Sequence, residues 1–513
     1  MRWMDIVGNR TLRDLWEELA RTSADRTFLV FEDRDSVVRE WTYGQFAVRI
    51  VRTANLFRSW GVAPGDHVGV HLGNCPEMLE CLFGLALVGA VSVPFHPRST
   101  ATECNDVQRR VGARVVVAEP DVLPEDGYAG DPRILLARAQ HDVPGTTPYG
   151  PARDAQPDVL VDRVPLASED PVGIVFTSGS TACPKGVVLT HANLLFSGLF
   201  VDWQATMTAQ DRLLTTMPAC HVNFQLNALM PVLTAGATLV AVERFSARRF
   251  WGQVREHRAT VVQSIAMMLR TTMLQPVAPD ERDHQVREIL YYLPVTDEEK
   301  AAYEQRFGVR LLNSYGTSET LVGVLTDPPV GERRWPSVGR VGLGYEVRIA
   351  DGDGHEVPVD TVGEIQVRGV PGRTLMKEYF RDPEATAAAI TPEGWFRTGD
   401  LGRVDADGWH WFVDRRAHFV KRSGENVSPT EVEEVLTRHP AVAEAAVIGV
   451  PDPVHDEAVK AFVVLVPGQV VTVAQVRAHC AAHLADFKVP TIVEVVDDLP
   501  RTNTFKVAKA ALV

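Results

Sequence analysis

The sequence predicts an α/β protein with a large layered N-terminal domain and a small α+β C-terminal domain. Its 513 residues exceed what one hydrophobic core normally organises, so at least two domains are expected. Between residues 40 and 400, helical stretches alternate with short β-branched runs, as in layered α/β folds. Near residue 400 this pattern changes, and the remaining chain carries helices and strands of its own.

The early part of the chain shows the alternation clearly. A helix is predicted over residues 43–60, and a strand follows at residues 67–71. A second helix is predicted over residues 77–88, with a strand at residues 91–93. The run of valines at residues 115–117 predicts another buried strand. Helices and strands in this order predict parallel sheets with helices on their faces.

Two short stretches are informative through their composition. Residues 144–157 are dense in Pro, Gly, Asp and Thr, and we expect a surface excursion there. Ser428, Pro429 and Glu431 form the pattern of a capping box, with Ser428 as the cap and Pro429 as the first helical residue. A helix of the C-terminal domain is therefore expected to begin at this point.

The domain boundary is predicted from a hairpin. Residues 405–408, Asp-Ala-Asp-Gly, are a turn signal between aromatic and β-branched residues, and the hairpin is expected to end at Val413. We expect the charged segment that follows the hairpin to be the hinge between the domains. The predicted organisation is an N-terminal domain at 1–413, a hinge at 414–421 and a C-terminal domain at 422–513.

Composition and charge narrow the functional classes. The formal net charge of −14 argues against nucleic acid or an anionic membrane as the main partner. The six cysteines are scattered without CxxC or metal-ligand spacing, which suits a cytosolic protein. The N-terminus lacks an apolar signal segment, and the longest apolar run, residues 81–95, is too short to span a bilayer. We therefore expect a cytoplasmic protein that does not insert into a membrane.

The most informative segment is Phe176-Thr-Ser-Gly-Ser-Thr-Ala-Cys-Pro-Lys-Gly186. Its hydroxyl side chains and the backbone around Gly179 are able to approach phosphate oxygens, and Lys185 supplies a point charge. The order of residues is not that of a Walker A loop. On composition alone, a solvated surface loop is the simpler interpretation.

Three further motifs favour the phosphate interpretation. In Ser314-Tyr-Gly-Thr-Ser-Glu-Thr320, Tyr315 suits a purine face, Ser318 a phosphate oxygen and Glu319 a magnesium ion. Trp395-Phe-Arg-Thr-Gly-Asp400 ends in a carboxylate of the type that holds ribose hydroxyls. Pro500-Arg-Thr-Asn-Thr-Phe-Lys506 places a lysine near the C-terminus. Each of these charged residues alone is more typical of ordinary surface charge.

In this order and spacing, the four motifs resemble those of the adenylate-forming superfamily of acyl-CoA synthetases, non-ribosomal adenylation domains and luciferases. The resemblance covers essentially the whole chain. It is strongest to the carnitine/crotonobetaine-CoA ligase branch, through four additional segments: Met4-Asp-Ile, Arg52-Thr-Ala-Asn-Leu-Phe57, Phe250-Trp-Gly-Gln-Val254 and Arg334-Trp-Pro-Ser-Val-Gly-Arg340. The resemblance implies a small-molecule substrate, ATP, Mg²⁺ and coenzyme A as co-substrate.

The resemblance also implies roles for individual residues. Lys506 matches the lysine that bridges the substrate carboxylate and the α-phosphate, and Glu319 matches the Mg²⁺ ligand. Asp400 and Arg415 match ribose ligands, and Tyr315 and Ser318 match the family's residues for adenine and the α-phosphate. The implied ATP-binding set is Thr177, Ser178, Gly179, Ser180, Thr181, Lys185, Tyr315, Gly316, Ser318, Asp400 and Arg415.

Four positions depart from the family pattern. Ala182 replaces the glycine usual in the phosphate loop, and Ser318 replaces a threonine but keeps the hydroxyl. Ala417 stands where many relatives carry Asp or Lys as the hinge residue, and Phe505 replaces the glycine before the catalytic lysine. None of these changes removes a charged group that the chemistry needs.

The family's C-terminal domain rotates between its two half-reactions, so a mobile domain is expected here. Residues 421–425 would then face the acceptor thiol, and Gly424 would let a pantetheine arm pass close to the backbone.

Pro218-Ala-Cys-His-Val-Asn223 matches the segment that lines the acyl tunnel in relatives. His221 is a candidate tunnel gate, with a buried structural histidine as the equal alternative. Cys220 is expected to serve packing. Asn223 stands where the resembling carnitine ligases carry an aspartate, so a counter-charge for a trimethylammonium group is missing.

Three functions fit these motifs. The first is an acid–CoA ligase that makes a thioester from a small carboxylic acid. The second is a diazotase of secondary metabolism that adenylates nitrite and delivers it to an arylamine. The third is a nucleotide-binding regulator without activity. The retained charged residues argue against the third, while the first two share every ATP-binding residue.

Overall fold

The structure is a computed structural model that describes residues 5–99, 101–177, 185–292, 295–415, 420–422, 425–427, 429–452, 456–484, 486–502 and 506–512. Within these ranges, the side chains of residues 102, 414, 415, 421, 425, 426 and 456 are not described. No helix in the described residues is long and apolar enough to cross a membrane.

Helices occur along the whole chain. The α-helices are α1 (Leu12–Thr22), α2 (Tyr43–Ser59), α3 (Pro76–Val88), α4 (Ala101–Val111), α5 (Tyr149–Asp154), α6 (His191–Ala205), α7 (Val222–Phe224), α8 (Met230–Ala235), α9 (Phe250–Glu256), α10 (Ala266–Met273), α11 (Asp297–Phe307), α12 (Pro383–Ala389), α13 (Pro429–Thr437) and α14 (Val473–His483). A π-helix (Gln225–Leu229) joins α7 to α8.

Strands alternate with these helices. They are β1 (Thr27–Glu32), β2 (Val38–Thr42), β3 (His67–His71), β4 (Val91–Pro94), β5 (Val115–Ala118), β6 (Arg133–Leu136), β7 (Thr146–Pro148), β8 (Pro171–Thr177), β9 (Lys185–Thr190), β10 (Arg212–Thr215), β11 (Thr238–Val242), β12 (Val261–Ile265), β13 (Glu288–Tyr292), β14 (Leu311–Tyr315), β15 (Leu325–Thr326), β16 (Arg340–Val341), β17 (Glu346–Ala350), β18 (Gly363–Arg368), β19 (Trp395–Val404), β20 (His410–Arg415), β21 (Val420–Arg422), β22 (Glu425–Val427), β23 (Val442–Asp452), β24 (Asp456–Leu465) and β25 (Ile492–Val496).

Two large sheets, both mainly parallel, position the candidate site. One has the order β16-β15-β14-β13-β12-β10-β11-β1-β2, and the other has the order β7-β6-β5-β3-β4-β8-β9. The neighbours β10, β12, β13 and β14 are parallel, so their carboxyl ends lie along one edge of the first sheet. Ligand sites of α/β proteins form at such edges. The second sheet ends in the antiparallel pair of β8 and β9.

Two smaller sheets are built from the later strands. One has the order β17-β18-β19-β20, and the other has the order β22-β21-β24-β23, with β25 paired to β24. The chain divides into two compact units, residues 1–346 with 367–396 and residues 347–366 with 397–513. The limits of these units differ from the predicted domain boundary between residues 413 and 414. That boundary stays a prediction. Residues 416–419 of the predicted hinge lie outside the described residues.

The predicted elements of the N-terminal part are present. The helix expected over residues 43–60 is α2, with a capping box between Thr42 and Gln45. The helix expected over residues 77–88 is α3, which starts at Pro76 and is capped after Val88 by Gly89 in the left-handed conformation. The helix is buried over most of its length, which explains an apolar sequence without a polar face.

The predicted hairpin and the helix after it are also present. The hairpin around residues 405–408 is formed by β19 and β20, and β20 extends to Arg415, two residues beyond the expected end. The helix expected after the capping box is α13, which begins at Pro429. Ser428 lies outside the described residues, so its cap stays a prediction.

The excursion predicted over residues 144–157 holds regular structure, namely β7 and α5. Tyr149 and Arg153 of this segment both bind Glu80, whose side chain is fully buried. The Tyr149 hydroxyl donates to Glu80 Oε2 at 3.0 Å, and Arg153 donates to the same oxygen at 2.7 Å. A buried carboxylate needs such partners, so this contact fixes a segment whose composition alone is typical of a loop.

Candidate active site

The predicted phosphate loop follows β8 and precedes β9. Thr177 at the end of β8 pairs with Lys185 at the start of β9, and the Thr177 hydroxyl donates to the Lys185 carbonyl at 3.3 Å. Thr177 and Lys185 are therefore direct neighbours across this strand pair. Ser178, Gly179, Ser180, Thr181 and Ala182 lie outside the described residues, so their roles stay predictions.

The second motif forms a tight turn after β14, which ends at Tyr315. A Cβ atom at Gly316 would lie 1.9 Å from the Val322 carbonyl oxygen, so only glycine fits there. The Thr317 backbone N–H donates to the Thr320 hydroxyl at 2.8 Å, and the Tyr345 hydroxyl donates to the Thr320 carbonyl at 2.7 Å. Ser318 and Glu319 are half-buried within this turn.

Tyr379 connects the two motifs. Its hydroxyl donates to Glu319 Oε1 at 2.8 Å, and Lys185 Nζ lies 4.9 Å from the centre of its ring. Burial, together with the Glu319 carboxylate, raises the pKa of Tyr379, so the phenol stays protonated and acts as a donor. Lys185 and Glu319, which the resemblance assigns to one ATP site, thus both contact Tyr379. The resemblance assigned no role to Tyr379.

The charges of this cluster are available to a ligand. No described residue other than Tyr379 donates to the Glu319 carboxylate, so its second oxygen is available for a cation. Lys185 forms no ion pair with any carboxylate that the structure describes. A carboxylate oxygen is a preferred Mg²⁺ ligand, and an unpaired ammonium suits phosphate oxygens. These side chains therefore fit the metal–phosphate group that the resemblance implies.

The candidate acceptor segment follows β10. His221 caps α7, and its Nδ1 accepts a hydrogen bond from the Asn223 backbone N–H at 3.1 Å. Gln263 Nε2 donates to the Asn223 carbonyl at 3.0 Å and to Asn223 Oδ1 at 3.1 Å. Cys220 is buried, and burial raises the pKa of its thiol to about 12, which agrees with the packing role.

The remaining predicted residues belong to the second compact unit. Asp400 is a buried residue of β19 that pairs with Arg415 of β20, and its backbone N–H donates to the Thr398 hydroxyl at 3.0 Å. Lys506 is exposed, and its carbonyl accepts a hydrogen bond from the Thr502 N–H at 2.8 Å. Ala417, Gly424, Phe505 and the side chain of Arg415 are not among the residues and side chains that the structure describes. The roles of these residues stay predictions.

Sequence reasoning missed Tyr379 and Gln263. Each acts on a predicted residue from a distant part of the chain, and neither stands in a pattern that indicates chemistry. One signal was available for Tyr379, since it precedes the helix start Asp382-Pro383, where Asp382 caps α12. That pattern predicts a turn and gives no information about Glu319.

The close approach at Gly316 gives a first prediction. Gly316→Ala should shift the turn that carries Ser318 and Glu319, destabilise the protein by about 1–3 kcal/mol, and weaken ATP binding. Melting temperature and ATP titration measure the two effects. Gly252→Ala is the control, because a Cβ atom there meets nothing within 4 Å. Unchanged ATP affinity in Gly316→Ala would contradict the placement of this turn in the site.

Comparisons with known proteins concern the chain as a whole. The family model described as AMP-binding enzyme matches residues 15–380, and that of the AMP-binding enzyme C-terminal domain matches residues 431–506. A curated relative, the crotonobetaine/carnitine–CoA ligase of Citrobacter koseri, is 44% identical over 99% of this chain and 100% of its own length.

Solved structures show the same architecture. ATP-bound MatB from Rhodopseudomonas palustris has a TM-score of 0.86 at 26% identity, covering 97% of each chain. The o-succinylbenzoate-CoA synthetase MenE from Bacillus subtilis, in complex with its acyl-adenylate intermediate, has a TM-score of 0.86 at 26% identity, covering 98% of each chain. The predicted fold, a large α/β N-terminal domain with a smaller C-terminal domain, is confirmed.

Proposed function

The chain belongs to the AMP-binding enzyme family, and on that premise we propose that it adenylates a small carboxylic acid and transfers the acyl group to coenzyme A. It is an AMP-forming enzyme of the acyl-CoA synthetase type, and it uses ATP, Mg²⁺ and coenzyme A. The resemblance seen in the sequence is confirmed. Nothing in the comparisons favours nitrite as the substrate.

One observation carries the placement of the adenylation chemistry. Lys185 and Glu319 both contact Tyr379: the ammonium lies 4.9 Å from the centre of its ring, and the carboxylate accepts a 2.8 Å hydrogen bond from its hydroxyl. Adenylation separates pyrophosphate from the α-phosphate, so it needs charge stabilisation on both sides of the bond that breaks. Bound Mg²⁺ supplies positive charge there. We assign Lys185 to the pyrophosphate and Glu319 to the metal.

The substrate tail is proposed from Asn223. Its Oδ1 accepts a hydrogen bond from Gln263 Nε2 at 3.1 Å, which leaves the amide NH₂ as the polar group without a described partner. An NH₂ donor does not stabilise a cation, and a desolvated cation without a counter-charge is costly. We therefore propose that the acid carries an uncharged tail, aliphatic or aromatic, in contrast to the betaines named for the Citrobacter koseri relative.

A substrate panel tests this proposal. CoA-dependent AMP release should have a higher kcat/KM with uncharged enoic or aryl acids than with crotonobetaine. Asn223→Asp should raise kcat/KM for crotonobetaine about 5–30-fold, the scale of one partly buried charge pair of about 1–2 kcal/mol.

The controls separate the alternatives. Asn223→Ala removes the amide without adding charge, and it should not raise kcat/KM for crotonobetaine. Fast turnover of crotonobetaine by the unmodified enzyme would contradict the uncharged tail. AMP release that requires nitrite and an arylamine, with no response to acid and coenzyme A, would contradict the ligase proposal itself.

A further inference from the structure

We infer that Tyr379 is a positioning residue of the adenylation site, with its hydroxyl orienting the Glu319 carboxylate and its ring supporting the Lys185 ammonium. The inference rests on the proposed function, because it assigns Glu319 to Mg²⁺ and Lys185 to the pyrophosphate. It adds a single side chain that sets the spacing between the metal ligand and the phosphate-binding cation.

Backbone hydrogen bonds hold Tyr379 against both motifs. Tyr379 pairs with Val187 in an antiparallel bridge, and the Phe380 N–H donates to the Gly186 carbonyl at 2.7 Å. On the other side, the Met376 N–H donates to the Glu319 carbonyl at 2.8 Å. The segment from Met376 to Phe380 therefore connects β9 to the turn after β14. Movement of either motif would strain these hydrogen bonds.

The position of Tyr379 is fixed further by its own burial. Only 6% of its surface is exposed, and its backbone N–H donates to the Thr386 hydroxyl at 3.0 Å, within α12. A buried ring with fixed backbone has few alternative rotamers. The hydroxyl is consequently directed at Glu319 before any ligand binds, and no reorganisation is needed when the metal arrives.

The chemistry of a phenol suits this role better than a charged side chain. A carboxylate at this position would neutralise Lys185, and an arginine would occupy both oxygens of Glu319. A phenol donates one hydrogen bond to one carboxylate oxygen and offers a neutral ring face to the ammonium. Both charges are thereby kept in place and remain available to the ligand.

The test is the Mg²⁺ dependence of ATP binding, measured by isothermal titration calorimetry without any acid substrate. Tyr379→Phe keeps the ring but loses the hydroxyl. ATP affinity without Mg²⁺ should stay the same, while the tightening that Mg²⁺ produces should fall about tenfold, the scale of one hydrogen bond to a charged group. Tyr379→Leu should also weaken ATP binding without Mg²⁺, because the ring under Lys185 is lost.

A double-mutant cycle identifies the route of the effect. If Tyr379 acts through the carboxylate, Tyr379→Phe should change Mg²⁺ dependence much less in a Glu319→Gln background. Tyr345→Phe is the matched control, since this tyrosine donates to the Thr320 carbonyl in the same turn and does not touch Glu319. It should leave the Mg²⁺ dependence unchanged. Melting temperatures establish that each variant is folded.

The outcomes separate this inference from the proposed function. Normal Mg²⁺ dependence in folded Tyr379→Phe would overturn the positioning role, as would an equal effect in Tyr345→Phe. If the unmodified protein binds Mg·ATP but makes no acyl-CoA, the proposed function fails while the inference stands. If the unmodified protein shows no Mg²⁺-dependent ATP binding, both are overturned.

Discussion

Replacing Lys506 with alanine is expected to slow adenylate formation about 10²–10³-fold, the scale on which one oriented donor stabilises developing negative charge. The lysine is proposed to bridge the substrate carboxylate and the α-phosphate. Its side chain is exposed, so it does not support a hydrophobic core. The variant should therefore fold normally and still bind ATP.

The two half-reactions distinguish this role from a general defect. Adenylation is measured by acid-dependent exchange of pyrophosphate into ATP, and thioester formation by supplying the acyl-adenylate with coenzyme A. We expect Lys506→Ala to lose the first and keep the second, because the mechanism proposed from the family resemblance uses the lysine for adenylation and withdraws it before the thiol attacks. Equal loss of both half-reactions would contradict the two-conformation mechanism.

A nearby lysine provides the control for this experiment. Lys509 Nζ pairs with Glu433 Oε1 at 2.7 Å, so its charge is already used within the C-terminal part. Lys509→Ala removes the same charge three residues later and is expected to leave both half-reactions within about twofold, because its ammonium is held by Glu433 and takes no part in the proposed chemistry. A comparable loss in Lys509→Ala would show that the effect of Lys506→Ala comes from net charge or domain stability and not from the proposed bridging role.

Glu319→Gln is expected to reduce kcat for adenylation about 10²-fold, and saturating ATP should not restore it. The substitution keeps the volume and an oxygen that accepts the Tyr379 hydrogen bond, so the local structure should persist. What it removes is the negative charge that holds the cation. Steady-state rates across a Mg²⁺ titration measure the effect, with half-saturation moving to higher Mg²⁺ concentration.

Glu378→Gln is the control for charge at this place in the fold. Glu378 is exposed and lies beside Tyr379, and its backbone carbonyl accepts a hydrogen bond from Val188 at 3.0 Å whatever the side chain. The Mg²⁺ dependence of the rate in Glu378→Gln should match that of the unmodified enzyme. A normal kcat in Glu319→Gln would show that another residue holds the metal.

Local signals explain why much of the fold could be predicted. The helix over residues 43–60 could be predicted because Gly61 marks its end in the sequence, and the structure adds a capping box between Thr42 and Gln45 at its start. The excursion at residues 144–157 was only partly anticipated. Its helix depends on Glu80, which lies far away in the sequence, and composition alone cannot reveal such a contact.

The sequence by itself determined the alternation of helices and strands, the α/β class and the order of the four charged motifs, because these depend on residue type and near neighbours. Only the tertiary structure decided that Tyr379 contacts both Lys185 and Glu319, and that Gln263 donates a hydrogen bond to the Asn223 side-chain oxygen. Those contacts join segments about 40 to 190 residues apart. Their geometry depends on how β9, β12 and β14 are registered in their sheets, and no local pattern encodes that register.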